Sequence, residues 1–98
     1  MKTIWKFAIP LGDLVSIAMP RGAKIIHVAN QFGMPTIWAL VDPAEPWVTR
    51  EFRFAGTGHL IHDHHLGKHA GSFFMEGGSL VLHIFETQAS QIENELKG

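Results

Sequence analysis

The chain has no cysteine, which removes disulfide staples, thiolate zinc sites and cysteine nucleophiles together. It has no excess of either charge: eight Lys and Arg stand against nine Asp and Glu, a formal net charge of −1 with histidine neutral. The basic residues are scattered from Lys2 to Lys97, so the clustered cationic face of a nucleic-acid binder is missing and nucleic acid is disfavoured as a partner. No apolar run approaches the roughly 20 residues that span a bilayer. At the start, a charge interrupts the apolar segment at Lys6 and no small-residue cleavage pattern follows, so no signal peptide is read there. There is no G-x-S-x-G nucleophile elbow, and serines stand only at positions 16, 72, 79 and 90. Internal repeats and a second domain are also missing. The expectation is a soluble cytoplasmic protein that neither enters a membrane nor tracks phosphate backbones.

What is present is enough apolar material for one core. The chain has 98 residues, 46% of them hydrophobic, which fits a single ordered domain rather than a disordered segment. Period-two patterning recurs along it. Trp5, Phe7 and Ile9 share one face of a strand over 4–9, with Lys6 opposite. Val15, Ile17 and Met19 do the same over 14–19, and Ile26 and Val28 are expected inward over 24–30. The run Thr36 to Val41 is apolar on both faces, the pattern of a central strand covered on both sides. Val48 to Phe54 puts Phe52 and Phe54 on one face and Glu51 and Arg53 on a solvated one. Gly77-Gly78 separates strands over 72–75 and 79–85, a strong hairpin signal. Turn residues fall every eight to twelve positions. The fold class expected is mainly β, a single-domain β-sandwich or small barrel of six to seven short strands. A short helical insertion is expected near 58–66, and a polar tail or short amphipathic helix using Ile92 and Leu96 over 87–98.

Gly56 to His69 reads GTGHLIHDHHLGKH and holds five of the seven histidines: His59, His62, His64, His65 and His69. On a helix, His59, His62, His65 and His69 would share a face, and histidines four apart can bind one metal ion. With Asp63 as ligand or orienter, His59, His62, His64, His65 and His69 form a candidate site for a divalent metal such as zinc, nickel or manganese. The alternative is a set of solvent-facing loop imidazoles. Crowded imidazoles beside Lys68 should titrate below the reference of about 6.5, so an ordered cluster loosens the fold as pH falls, whereas a free loop leaves stability unlinked to their protonation. Gly56, Thr57 and Gly58 could cradle a phosphate through backbone N–H groups, or simply form a turn needing positive φ. A candidate general base brings His59 and His83 together with Thr57, Asp63 or Glu86 as orienter. The simpler account makes His83 a core histidine bonded to backbone. Trp5 and Trp38 fit core positions, whereas Trp47, after Pro46, is the better exposed contact for a partner.

Four segments carry a family likeness: Trp5-Lys6-Phe7, Trp38-Ala39-Leu40-Val41-Asp42-Pro43, Gly56-Thr57-Gly58-His59 and His83-Ile84-Phe85-Glu86. Together they resemble small proteins of unknown function encoded by bacteriophages and by prophage regions of bacterial genomes, over most of residues 3–86. The GTGH and H-x-F-E positions recur in such proteins, whereas His62 to His69 do not. The resemblance implies a small accessory protein and carries no ligand or catalytic residue with it. The function expected is a self-associating binding module that occupies a host protein or sequesters a small, nucleotide-like molecule. A metal-dependent hydrolase of phosphoesters or nucleotides, built on histidines 59–69, is the alternative.

Overall fold

The computed structural model describes residues 1–97, with side chains through Asn94. Strands β1 (Thr3–Ala8), β4 (Met34–Val41) and β3 (Lys24–Gln31) form one antiparallel sheet with β4 in the middle. Strands β2 (Leu14–Pro20), β5 (Trp47–Gly56), β7 (Leu80–Glu86) and β6 (His69–Met75) form a second, in the order β2-β5-β7-β6. Short 3-10 turns cover Asp63–His65 and Glu76–Gly78, and helix α1 runs over Gln88–Lys97. The chain is therefore mainly β, as its alternation requires.

The two inward faces meet in one core. Val28, Ile37, Ala39 and Val41 come from the first sheet; Val15, Ile17, Met19, Phe52, Phe54, Phe73 and Ile84 come from the second. Burying side chains of this size contributes about 1.5–3 kcal/mol each, which is what drives the sheets together. Trp5 and Phe7 pack on the core's margin.

Three strand readings change. On β3 the pairing shifts between Ile25 and His27, a bulge that leaves Ile25 opposite Ala39 and His27 opposite Trp38. Ile26 is therefore 48% exposed, and Ile25 takes its expected place against the core. β4 is central, but only Ile37, Ala39 and Val41 face inward. Trp38 lies on the outer face beside His27, ring centroids 5.4 Å apart, and is not a core tryptophan. β6 begins at His69, so that histidine belongs to a strand and not to the histidine-rich loop.

β7 ends opposite Phe52, which leaves the backbone of Glu51 without a strand neighbour on that side. The start of α1 supplies one. The Thr87 N–H donates to the Glu51 carbonyl at 3.0 Å, and the Glu51 N–H donates to the Ser90 hydroxyl at 2.9 Å. Thr87 caps the helix, its hydroxyl accepting from the Ser90 N–H at 3.3 Å. The helix is thus tied down by polar groups. Ile92 is 57% exposed, so the expected apolar face does not form there; the Leu96 side chain lies outside the described residues.

Candidate functional site

The histidine-rich segment folds back over the outer face of the second sheet. His62, His64 and His65 cluster, the 62–64 pair stacked at 5.4 Å between centroids, 62–65 edge-on at 6.0 Å and 64–65 tilted at 4.3 Å. The short 3-10 turn, not a longer helix, sets this arrangement, because Gly67 must pass against the end of β7. A Cβ at Gly67 would stand 2.3 Å from the Glu86 carbonyl oxygen. His65 is half-buried, with its Nδ1 shielded and without a hydrogen-bond partner. Its pKa is lowered, first by desolvation and then by His64, Arg53 and His62, with Glu51 opposing. Glu51 and Arg53, expected on a solvated face, are half-buried. Asp63 is exposed. Among the described residues no three His, Asp or Glu side chains converge as a metal-ligand set.

His59 and His69 do different work. The His59 Nδ1 accepts the Gly56 N–H at 3.2 Å, and its ring lies so close to Gly56 that a Cβ there would meet Cε1 at 3.0 Å. The N–H that a phosphate cradle would use at Gly56 is therefore occupied. Gly58 has φ +90° and makes the turn. His69 stands against Phe85 at 5.0 Å between centroids, and its Nε2 lies 3.0 Å from the Ser72 hydroxyl.

Ser72 and Thr57 complete a hydrogen-bonded row across β6, β7 and the residue that follows β5. His83 Nε2 lies 2.8 Å from Thr57 Oγ1, and His83 Nδ1 lies 2.7 Å from Ser72 Oγ. Pairing of β6, β7 and β5 aligns Ser72, His83 and Ala55 on the outer face, which is why these groups meet. His83 is half-buried and bonds to hydroxyls rather than to backbone. A hydroxyl donates and accepts with equal ease, so the row Thr57–His83–Ser72–His69 is consistent with protons oriented in either direction. Glu86 does not join it, because Glu86 points to the opposite face of the sheet.

That opposite face holds a buried ion pair. The Arg50 Nε and Nη2 donate to Glu86 Oε2 and Oε1 at 2.9 and 2.8 Å, and Nη1 donates to the Ala23 carbonyl at 2.6 Å. The Ser90 hydroxyl donates to Glu86 Oε2 at 2.8 Å. Both side chains are under a tenth exposed. The pair is the floor of a cavity of about 250 Å³ whose walls include Lys24, Lys68, His69 and Asn94. A second groove, about 490 Å³, runs between α1 and the start of β5, where it is lined by Trp47, Thr49 and Glu93. Trp47 is 55% exposed and rests on Trp5 and Phe7, centroids 6.0 and 6.1 Å away.

Ser72, Arg50, Glu86 as an ion-pair partner, and Asn94 were not singled out from the sequence. A signal existed for two of them: Arg50 is in phase with Phe52 and Phe54, and Glu86 with Leu82 and Ile84. A charge in step with a core pattern marks a paired buried ion.

The fold and these groups define a small all-β domain of two antiparallel sheets with a helix tied across one end by a buried ion pair. Residues 1–95 match the model of a family described as a domain of unknown function, DUF7352, and the chain belongs to that family. No curated protein and no solved structure matches the chain. No described helix is long and apolar enough to cross a membrane.

Proposed function

We propose that the chain is a small accessory binding module of phage or prophage origin, working in the host cytoplasm and assembling through the outer face of its three-stranded sheet. One observation carries this: β4 is apolar on both faces, and the fold covers only one of them. Cross-strand pairing sets Ile4 beside Leu40 and Lys24, and Lys6 beside Trp38 and His27. Ile4 is 54% exposed, Lys6, Lys24 and His27 are exposed and Trp38 and Leu40 are half-buried, so among the described residues only the Thr36 end of this face, 3% exposed, is closed. An uncovered face of a two-sheet domain is ordinarily polar.

The occupant that fits is a second copy of the chain. The central column on β4, Thr36, Trp38 and Leu40, carries no charge, whereas Lys6 and Lys24 lie on the flanking strands. A two-fold axis over β4 therefore joins apolar side chains and leaves the lysines at the rim. The molecule is flat, with Cα extents of 39 × 31 × 17 Å, and its broad side offers room for the roughly 800 Å² per partner of a stable interface. A host protein is the other occupant of the same face. The metal-dependent hydrolase gains no support from the ring cluster of His62, His64 and His65.

Light scattering coupled to size exclusion at tens of micromolar tests this. The wild-type chain is expected as a dimer, and the Ile4→Lys and Trp38→Ser variants as folded monomers. A monomeric wild type, or variants that remain dimeric, would overturn the assignment.

A further inference from the structure

The four-stranded sheet carries on its outer face an exposed serine held between two imidazoles. Ser72 and His83 face each other across β6 and β7, with Ser72 Oγ 2.7 Å from His83 Nδ1. The other ring nitrogen of His83, Nε2, lies 2.8 Å from Thr57 Oγ1. His69 Nε2 reaches the same Ser72 oxygen at 3.0 Å. Ser72 and Thr57 are exposed, whereas His83 is half-buried. The hydroxyl is thus open to a reactant, while the imidazole behind it is held at both nitrogens. One of the two proton directions open to this row puts a proton on His83 Nε2, donated to Thr57, and leaves Nδ1 to accept from Ser72. His69 then donates its Nε2–H to Ser72. A hydroxyl bonded to an imidazole that a third group orients is the arrangement of an activated nucleophile. Ser79, also exposed, donates instead to a backbone carbonyl, that of Glu76, at 2.8 Å.

From this geometry we propose that Ser72 is a nucleophile that takes the acyl group of activated aryl esters, on the face opposite to the one proposed for association. In the first step the bond from Ser72 Oγ to the acyl carbon forms as the hydroxyl proton passes to His83 Nδ1. The bond from the acyl carbon to the aryl oxygen breaks, and His83 returns the proton to that oxygen. One phenol is released for each acyl-serine formed. His83 then takes a proton from a water that attacks the acyl-serine, the carboxylic acid leaves, and Ser72 regains its proton. His69 Nε2–H, freed when Oγ becomes an ester oxygen, is the side-chain donor beside the developing oxyanion. The leaving group follows from the third member of the row. Thr57 presents a hydroxyl and not a carboxylate, so no adjacent anion neutralises the imidazolium, and weakly basic phenoxides are favoured over alkoxides. The next cross-strand pair on the same face is Phe74 with Val81. Phe74 is 67% exposed and offers its ring to the aryl group.

The test is p-nitrophenyl acetate on the full chain at neutral pH, with release of p-nitrophenol followed by absorbance and the adduct located by peptide mass mapping. A burst equal to the protein concentration is expected, with acetyl on Ser72 and not on Ser79. Ser72→Ala should lose the burst and keep only the slow steady release that the chain's other imidazoles give. His83→Gln should slow acetylation of Ser72 by at least about a hundredfold, the lower range for a lost general base. Thr57→Val should slow it about tenfold, through misplacement of that base, and Thr57→Ser should restore the wild-type rate. Ser79 is a control within the wild-type chain, so the comparison of the two serines holds even where a variant fails to fold. Acetyl on Ser79 as fast as on Ser72, acetyl on lysine or histidine alone, or a burst retained in Ser72→Ala would overturn the proposal.

Discussion

Arg50 and Glu86 lose the hydration of two ions when the sheets close, and their attraction repays that loss only because both carboxylate oxygens are engaged. Removing one partner strands the other. Glu86→Ala is expected to cost about 3–5 kcal/mol in urea unfolding, while the double change Arg50→Met, Glu86→Leu should recover most of the loss. A double variant as unstable as the single one would show that the pair stabilises α1 through Ser90 rather than through its own charge balance. Phe32 is a second residue with a readable cost. It is fully exposed at the β3–β4 turn with φ +52°, a conformation that costs an L residue roughly 1–2 kcal/mol and that Asn tolerates better. Phe32→Asn should therefore raise stability by about 1 kcal/mol, seen as a higher urea midpoint at unchanged slope.

Elements in this domain are joined at a few close approaches. β6 lies so near β3 that a Cβ on Gly71 would stand 2.1 Å from Val28 Cγ2. Gly71→Ala should destabilise by about 1–3 kcal/mol, and Val28→Ala in the same chain should relieve part of that in a double-mutant comparison. The turn over Asp63–His65 is joined to the sheet differently, through a titrating group. His65 has a lowered pKa in the folded chain, so the unfolded chain binds its proton more readily. Its contribution to stability is complete above about pH 6.5 and is lost as pH falls through the folded value. Thermal melting from pH 7.5 to 5 should show the wild type losing more stability than His65→Gln. Superimposable profiles would mean that the turn is undocked from Arg53 and Glu51 in solution.

At the scale of the whole molecule, both sheets have open edges and the outer face of the three-stranded sheet carries an apolar centre of Ile4, Trp38 and Leu40 with lysines around it. If two copies meet on that face, folding and association are linked by mass action. The melting temperature of the wild type should then rise with protein concentration, and that of Trp38→Ser should not. Calorimetry over a hundredfold concentration range reads this directly. A concentration-independent melting point for the wild type would count against the dimer.

Alternation at every second residue determined by itself that this chain is mainly β, where most strands lie and which residues of β2 and β5 form the core, because side-chain direction in a strand is a local property; on β7 both faces are apolar, and only the fold shows that Ile84 faces the core and His83 does not. Turn residues such as Gly77-Gly78 were equally legible. The β3 bulge was not, since one extra residue reverses the faces that follow and nothing local announces it; Ile25 and Ile26 are chemically interchangeable there. The grouping of functional side chains was decided only by tertiary structure. Five histidines close in sequence were separated: His59 onto Gly56, His69 into β6, and three into a ring cluster. Thr57, Ser72 and His83, distant in sequence, were brought together by strand pairing. Arg50 and Glu86 meet because β5 and β7 are neighbours in the order β2-β5-β7-β6, which no local pattern announces.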